Sequence, residues 1–218
     1  MTVGATDSGD RATLLWLPVG AGGQVVKRTS AWWERACSRI ERRRPAPLFH
    51  AALELHLGGV PFVVEMTPAW GVPAGDRGVV VTGPVGTRRL GRLRLFRYEV
   101  RCWARGVIPD REWAVGDPVV ITQDTEIVAR MARAVGSLPA LTWGRTPPGA
   151  GAMWTSNSIV SWLLRHSGLP TRHSPPNGGR APGWAAGEQL GHEDASRATG
   201  GECGTEPVVP RSTDITSR

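Results

Sequence analysis

Residues 49–68 read FHAALELHLGGVPFVVEMTP and contain the pattern that decides the fold. Two runs of alternating residues flank Gly58-Gly59, a dipeptide typical of a two-residue β-hairpin turn. If Leu57 faces Val60, every residue on one side of the hairpin is apolar. That side carries Phe49, Ala51, Leu53, Leu55, Leu57, Val60, Phe62, Val64 and Met66. A shift of one residue would destroy this division, so the pattern predicts both the hairpin and its register.

The other side of the predicted hairpin is mostly polar. It carries His50, Ala52, Glu54, His56, Pro61, Val63, Glu65 and Thr67. In the predicted register Thr67 lies opposite His50, and Glu65 is a diagonal neighbour of His50 at about 7–8 Å between Cα atoms. A carboxylate bonded to one imidazole nitrogen leaves the other nitrogen available as a base. This side is therefore either a candidate catalytic surface or a solvent-facing surface on which His and Glu happen to alternate.

Strand and helix patterns surround the hairpin and together indicate an α+β fold. Further strands are expected at 13–19, 78–82 and 90–103. The last of these should contain a β-bulge near Leu95, where its alternation changes phase. Helices are expected at 31–43 after an N-cap at Ser30, at 124–135, and at 158–166 before Gly168.

The remainder of the 218-residue chain limits its organisation and location. No run approaches the roughly 18 apolar residues that span a bilayer, so no membrane span is expected. The first residues lack the basic and apolar segments of a secretory signal, which favours a cytoplasmic location. Residues 188–218 contain few bulky apolar side chains and no periodicity. We therefore expect a single domain at 1–187 and a disordered tail at 188–218.

No metal ion or cofactor is predicted. Cys37, Cys102 and Cys203 are far apart and form no C-x-x-C pair. The histidines lack metal-ligand spacing, and the glycines form neither a dinucleotide-binding nor a P-loop pattern.

Residues 153–158, MWTSNS, open the last predicted helix. Ser and Thr at this position favour an N-cap, which is one interpretation. The other is a nucleophilic Ser156 hydroxyl. A helix dipole contributes about 0.3–1 kcal/mol, whereas one pKa unit corresponds to about 1.4 kcal/mol. The dipole alone cannot ionise a serine, so Ser156 would need a general base such as His50.

The order of these motifs resembles the circularly permuted papain-like superfamily. The resemblance rests on FHAALEL (49–55), FVVEMTP (62–68) and WTSNSIVSWLL (154–164). They are similar to a strand with His, a strand with a polar residue, and a helix start with Cys in an N-C-N-T/S motif. The superfamily includes permuted NlpC-type hydrolases, lecithin retinol acyltransferase relatives and PPPDE isopeptidases. The stretches HAALEL, VVEMTPAWG, GRLRLFRYEVRCW, MWTSNSIVSWLLRHSG and PPNGGRAPGW resemble more closely an actinobacterial family without an assigned activity.

The resemblance implies a permuted papain-like domain with His50 as base, Glu65 as its orienting residue and Ser156 as nucleophile. The implied reaction is hydrolysis or transfer of an amide, ester or thioester, on a small-molecule, lipid or peptide acyl substrate. Substrate contacts are expected from the neighbouring Thr67, Trp70, Trp154, Thr155 and Asn157. The superfamily has Cys where this chain has Ser156, so a catalytically inactive binding module on the same fold is an alternative.

A second alternative is a basic nucleic-acid-binding protein. The net charge is +7, although Lys27 is the only lysine, and such an arginine bias is typical of GC-rich genomes. The candidate contacts are Arg88, Arg89, Arg92, Arg94, Arg97 and Arg101. The change of phase between Leu95 and Phe96 divides them between two faces, which argues against one basic stripe. Nucleic acid is therefore the less favoured partner.

Overall fold

A computed structural model describes residues 9–20, 24–69, 78–106, 108 and 110–199, and it has an α+β fold. Six antiparallel strands form one sheet in the order β4-β5-β3-β2-β1-β6. The strands are β1 (Arg11–Pro18), β2 (Phe49–Leu57), β3 (Val60–Pro68), β4 (Val79–Pro84), β5 (Arg97–Ala104) and β6 (Val119–Thr122). The helices are α1 (Gln24–Ile40), α2 (Thr125–Ala134), α3 (Ser156–His166) and α4 (Trp184–Thr199).

The predicted hairpin is confirmed, and so is its register from the turn to Leu53 and Val64. The predicted pairing of Thr67 with His50 is wrong, because β2 and β3 no longer pair beyond Leu53 and Val64. Leu57 pairs with Val60, and the pairing continues to Leu53 with Val64. Gly58 and Gly59 have φ angles of +58° and +76°, the left-handed conformation that a tight hairpin turn of this kind requires.

The two sides of the sheet have different partners. We call the side that bears Phe49, Ala51, Leu53 and Leu55 the core face, because these residues join one buried cluster with side chains of α2 and α3. The opposite side, which bears His50, Ala52 and Glu65, is called the second face. A smaller apolar cluster covers part of it, and its buried members are Leu15, Leu17, Ala52, Val63 and Ile108. The alternation seen in the sequence thus distributes β2 between two chemically distinct environments.

An ion pair and a backbone hydrogen bond attach a further segment to the second face. Arg111 lies in a 3₁₀ turn at Arg111–Trp113, and its Nε donates to Glu54 Oε1 at 2.7 Å. Further along the segment, the Val115 amide donates to Trp16 O at 2.9 Å. These bonds hold residues 110–115 against the second face.

Three expectations about the elements need correction. Helix α1 begins at Gln24, so Ser30 lies within it and is not its N-cap. Residues 90–96 form two short 3₁₀ turns at Leu90–Arg92 and Arg94–Phe96, and β5 starts only at Arg97. The change of phase therefore marks the end of the turns and is not a β-bulge. Strand β6 was not predicted, because its four residues carry too short a pattern.

The predicted tail boundary is wrong for residues 188–199, which continue α4. Gly187 and Gly191 lie one turn apart on α4 and face α3 at very close range. A Cβ atom on Gly187 would collide with Ser158 O, and one on Gly191 would lie 2.8 Å from Trp162 O. The glycines of this helix therefore permit close packing against α3. In the sequence alone, the same glycine content is typical of a disordered segment. Residues 200–218 lie outside the described part of the chain.

Within the described residues, none of the helices is both long enough and apolar enough to cross a membrane.

The close approach of α3 and α4 predicts an asymmetric response to alanine. Gly187→Ala should lower the free energy of unfolding by about 1–3 kcal/mol, because the added methyl overpacks a rigid backbone contact. Gly136→Ala is the matched control, since a Cβ atom there meets nothing within 4 Å. It should be neutral or slightly stabilising. Urea unfolding of both variants measures the difference, and equal effects would contradict the tight helix contact.

Candidate functional site

Strands β2 and β3 part at one end of the hairpin. Their pairing ends at Leu53 with Val64. Beyond this point β3 continues beside β5 as far as Pro68, and β2 continues beside β1 as far as Phe49. The edge of β2 that faced β3 consequently loses its strand partner at residues 49–51, where backbone groups are buried and need other hydrogen bonds.

The start of α3 fills this gap. Asn157 is 3% exposed, and its Oδ1 accepts from the Ala51 amide at 2.7 Å. Its Nδ2 donates to Phe49 O at 3.1 Å and to Pro182 O at 2.9 Å. A side-chain amide carries an acceptor and donors, as a peptide group does, so Asn157 takes the place of a neighbouring strand. Phe49 and Ala51 flank His50, and the first turn of α3 is therefore anchored level with His50.

The N-cap of α3 is Thr155. Its Oγ1 accepts from the Asn157 amide at 3.2 Å and donates to Pro182 O at 2.7 Å. Ser158 completes a capping box, because its Oγ accepts from the Thr155 amide at 2.9 Å. Ser158 Oγ also donates to Gly183 O at 2.7 Å. The capping function that the sequence suggested for Ser156 is thus performed by its neighbours.

Ser156 is the first residue of α3 and is half-buried. Among the described residues, its hydroxyl has no hydrogen-bond partner, unlike those of Thr155, Ser158 and Ser161. The amides of Asn157 and Ser158 both donate to Thr155, at its side chain and its carbonyl respectively. The dipole of α3 and the amide of Ser156 itself therefore remain as the groups that favour negative charge at this position.

The second face carries the predicted His50, Glu65 and Thr67. Glu65 pairs with Arg101 across β3 and β5, and Thr67 pairs with Glu99. The buried Oγ1 of Thr67 has no hydrogen-bond partner among the described residues. Arg101 Nη2 lies 3.0 Å from Glu99 Oε2, so the cation whose charge acts on Glu65 is shared with a second carboxylate.

Burial and neighbouring charges change the acidity of both predicted site groups. Burial lowers the pKa of His50, and the nearby Asp110 carboxylate acts in the opposite direction. Burial raises the pKa of Glu65 to about 7, against the attraction of Arg101 and with a further contribution from Asp110. His50 and Glu65 thus share Asp110 as an electrostatic neighbour. At neutral pH His50 is an uncharged base, and Glu65 is close to its midpoint.

Asp110 is a site residue that the sequence did not suggest. It precedes the 3₁₀ turn at Arg111–Trp113, in an irregular segment without hydrophobic periodicity. Its approach to His50 and Glu65 depends on the folding of this segment over the second face, which no local pattern in the sequence signals.

The structure divides the predicted residues into two groups. Trp154, Thr155 and Asn157, which were expected to contact substrate, are 0%, 7% and 3% exposed. They position α3 from within the fold and do not face a cleft. His50, Glu65 and Thr67 share the second face, whereas α3 packs on the core face. Among the described residues, no hydrogen bond joins His50 to Glu65 or to Ser156. Trp70 lies outside the described residues.

The arginines considered for nucleic-acid binding do not form one stripe. Arg101 pairs with Glu99, and Arg97 donates to the carbonyls of Gly91 and Arg92. Arg94 Nε donates to Ala69 O at 3.0 Å. The exposed members are Arg88, Arg89, Arg92 and Arg94, which lie in the two 3₁₀ turns or just before them. Within the described ranges, no group of three or more His, Cys, Asp or Glu residues is arranged to hold a metal ion.

No family model, curated protein or solved structure matches this chain. The candidate site therefore rests on its own geometry.

The raised pKa of Glu65 predicts a pH-dependent stability. Between its ordinary value of 4.5 and about 7, the folded protein retains a proton that the unfolded chain has released. The free energy of unfolding should therefore fall as pH rises through this range, by at most about 3 kcal/mol from this group. Glu65→Gln removes the titration and should flatten this part of the curve.

His50 contributes to the pH dependence of the free energy of unfolding with the opposite sign. Its pKa is lowered in the folded protein, so protonation favours unfolding as the pH falls. This contribution is common to both proteins, so the difference between the wild-type and Glu65→Gln curves isolates Glu65. Glu112→Gln, at an exposed position, serves as the control. Chemical unfolding between pH 4 and 8 provides the measurement. Parallel curves for wild type and Glu65→Gln would show that the carboxyl titrates in the folded protein as it does in the unfolded chain.

Proposed function

We propose that this protein is a serine-dependent hydrolase or acyltransferase that acts on an amide, ester or thioester. The observation that carries the proposal is the anchoring of α3 by Asn157 on both sides of His50. It brings the first turn of α3 to the backbone that flanks His50, in the gap where β2 and β3 part. Ser156 is adjacent to Asn157 and has a hydroxyl that the cap does not use.

In the proposed reaction, His50 accepts the Ser156 proton as the Ser156 oxygen attacks the substrate carbonyl carbon. The resulting imidazolium then gives this proton to the leaving group, and an acyl-enzyme forms. Water or a second acceptor completes hydrolysis or transfer by the same route in reverse. The lowered pKa of His50 supports its role as base, since an uncharged imidazole is required at the start.

Glu65 is proposed as the residue that orients His50, and Thr67 as a neighbour of substrate on the second face. Asp110, whose carboxylate acts on both His50 and Glu65, is a further acidic group of the proposed site. The substrate is an acyl compound, whether a small molecule, a lipid or a peptide.

Cys37 and Cys102 are free thiols, which supports the expectation of a reducing, cytoplasmic location.

A fluorophosphonate probe tests the proposed nucleophile, because it phosphonylates serines whose hydroxyl is activated by a base. We expect labelling of the wild type at Ser156, identified by peptide mass spectrometry. Ser156→Ala should abolish it, and His50→Ala should reduce it by about two orders of magnitude or more. Ser174→Ala, at an exposed serine, is the control and should label as the wild type does. Labelling that is unchanged in His50→Ala would contradict the proposed base.

A non-catalytic binding module on the same fold is the second candidate. It is favoured by one observation, the lack of a hydrogen bond between His50 and Ser156 within the described residues. In this case the parting of β2 and β3 would receive a ligand without covalent chemistry.

Ser156→Cys separates the two candidates without any knowledge of the substrate. In the proposed site, the dipole of α3 and His50, which becomes protonated as the thiol ionises, both lower the pKa of the new thiol below about 8.5. Alkylation by iodoacetamide at pH 6–7 should then be faster than that of an ordinary exposed cysteine, and His50→Ala should remove the excess. In a binding module the helix dipole alone would act, so the rates with and without His50 would be equal.

The background in this measurement is low. Burial raises the pKa of Cys102 to about 11. The pKa of Cys37 is also raised, mainly by burial and to a smaller extent by the negative charges of Glu41 and Glu34. Both native thiols are therefore weakly nucleophilic at pH 6–7. Cys203, outside the described residues, is replaced by serine in every variant compared.

A further inference from the structure

A groove at the β4 side of the sheet carries three guanidinium groups. Its volume is about 640 Å³, and β5 and β3 lie between β4 and β2 in the sheet order. The polar side chains that line it are Arg88, Arg92, Arg97, Thr82 and Thr142, and Leu141 contributes an apolar wall. None of its lining residues is acidic, so the arginines are not neutralised from within it.

The groove has a fixed frame. On one side, Gly91 lies so close to β4 that a Cβ atom there would be 2.6 Å from Pro84 Cβ. The 3₁₀ turns continue this wall through bonds from Leu93 N to Leu90 O and from Phe96 N to Leu93 O, both 2.9 Å. The position of the turn is thus determined by its contact with β4.

The opposite wall is also fastened to the sheet. Trp143 N donates to Pro84 O at 2.9 Å, and the Tyr98 hydroxyl donates to Leu141 O at 2.7 Å. The groove is therefore formed between two segments that are each bonded to β4 or β5, which favours a site that exists before a ligand arrives.

The arginines have different degrees of freedom. Arg97 donates from Nε to Gly91 O and from Nη2 to Arg92 O, which fixes the plane of its guanidinium. These bonds use two of its five donor hydrogens. Arg88 and Arg92 are exposed, and within the described residues neither forms an ion pair. One oriented guanidinium and two adaptable ones, together with two hydroxyl groups, suit the several acceptor oxygens of a phosphate.

We propose that this groove binds a phosphomonoester, with its phosphate held by Arg88, Arg92 and Arg97. The volume exceeds that of a phosphate ion, and Leu141, Ala140 and Pro84 offer an apolar surface to an organic substituent. The phosphate belongs either to a free small molecule or to a lipid headgroup. The site is separate from the one proposed for acyl chemistry and does not depend on it.

Calorimetric titration of the full chain with inorganic phosphate and with phenyl phosphate tests the proposal, at constant ionic strength set with chloride. Both should bind saturably, and phenyl phosphate more tightly because its ring meets the apolar wall. Arg92→Gln and Arg88→Gln should each weaken binding about tenfold or more, since each removes a charge-assisted contact. Both positions are exposed, so folding is unaffected. Arg39→Gln, an exposed arginine of α1, is the matched control and should bind as the wild type does.

Sedimentation with phosphatidylcholine vesicles, with and without phosphatidic acid, distinguishes the two sources of phosphate. Binding of phenyl phosphate without vesicle binding identifies a free ligand. Vesicle binding that requires phosphatidic acid and is lost in Arg92→Gln identifies a lipid headgroup. Absence of saturable binding to any of these probes would overturn the proposal, as would binding that Arg92→Gln leaves unchanged.

Discussion

The two hydrogen bonds between the Asn157 amide and the backbone of β2 are the interaction on which the arrangement of this protein depends. Without them, the parting of β2 and β3 would leave Ala51 N–H and Phe49 C=O buried and unpaired. Each such group costs about 1–3 kcal/mol, which is a large part of the stability of an ordinary domain. An aspartate offers no donor and a leucine neither donor nor acceptor, so an amide is specifically required at this position.

The same anchor determines where the helices lie. Once α3 is fixed at its start, Ser158 and Ser161 present hydroxyls that donate to the carbonyls of Gly183 and Trp184. These bonds hold the start of α4, and the two glycines of α4 allow its backbone to approach α3. Trp184 then returns to the sheet, since its ring centroid lies 5.3 Å from that of Trp16 in β1. The helix pair is thus connected to the sheet at two points, through Asn157 to β2 and through Trp184 to β1.

The success of sequence-based prediction varied with the range of the interaction responsible. The hairpin at 49–68 was predictable because alternation and the Gly58-Gly59 turn are local signals that agree. The segment at 90–96 was not, since its 3₁₀ turns satisfy their hydrogen bonds locally while an Arg-Leu alternation imitates a strand. Helix α4 was also missed, because its glycines are favourable only in contact with α3. At the site, strand parity predicted that His50 and Glu65 share a face, whereas Asp110 reaches them through an irregular segment.

The proposed chemistry must cross from one face of the sheet to the other. His50 belongs to the second face, while α3 packs on the core face, and a continuous sheet would separate them. The parting of β2 and β3 opens the sheet at the level of His50, where α3 begins. A serine nucleophile depends more strictly than a cysteine on a base close to its hydroxyl. A helix dipole changes a pKa by less than one unit, which cannot ionise a serine without such a base. With a pKa of about 7, Glu65 is only half ionised at neutral pH, so the carboxylate proposed to orient His50 becomes mostly charged only above this pH. In the proposed reaction, His50, Glu65 and Ser156 would therefore all depend on the opening that Asn157 stabilises.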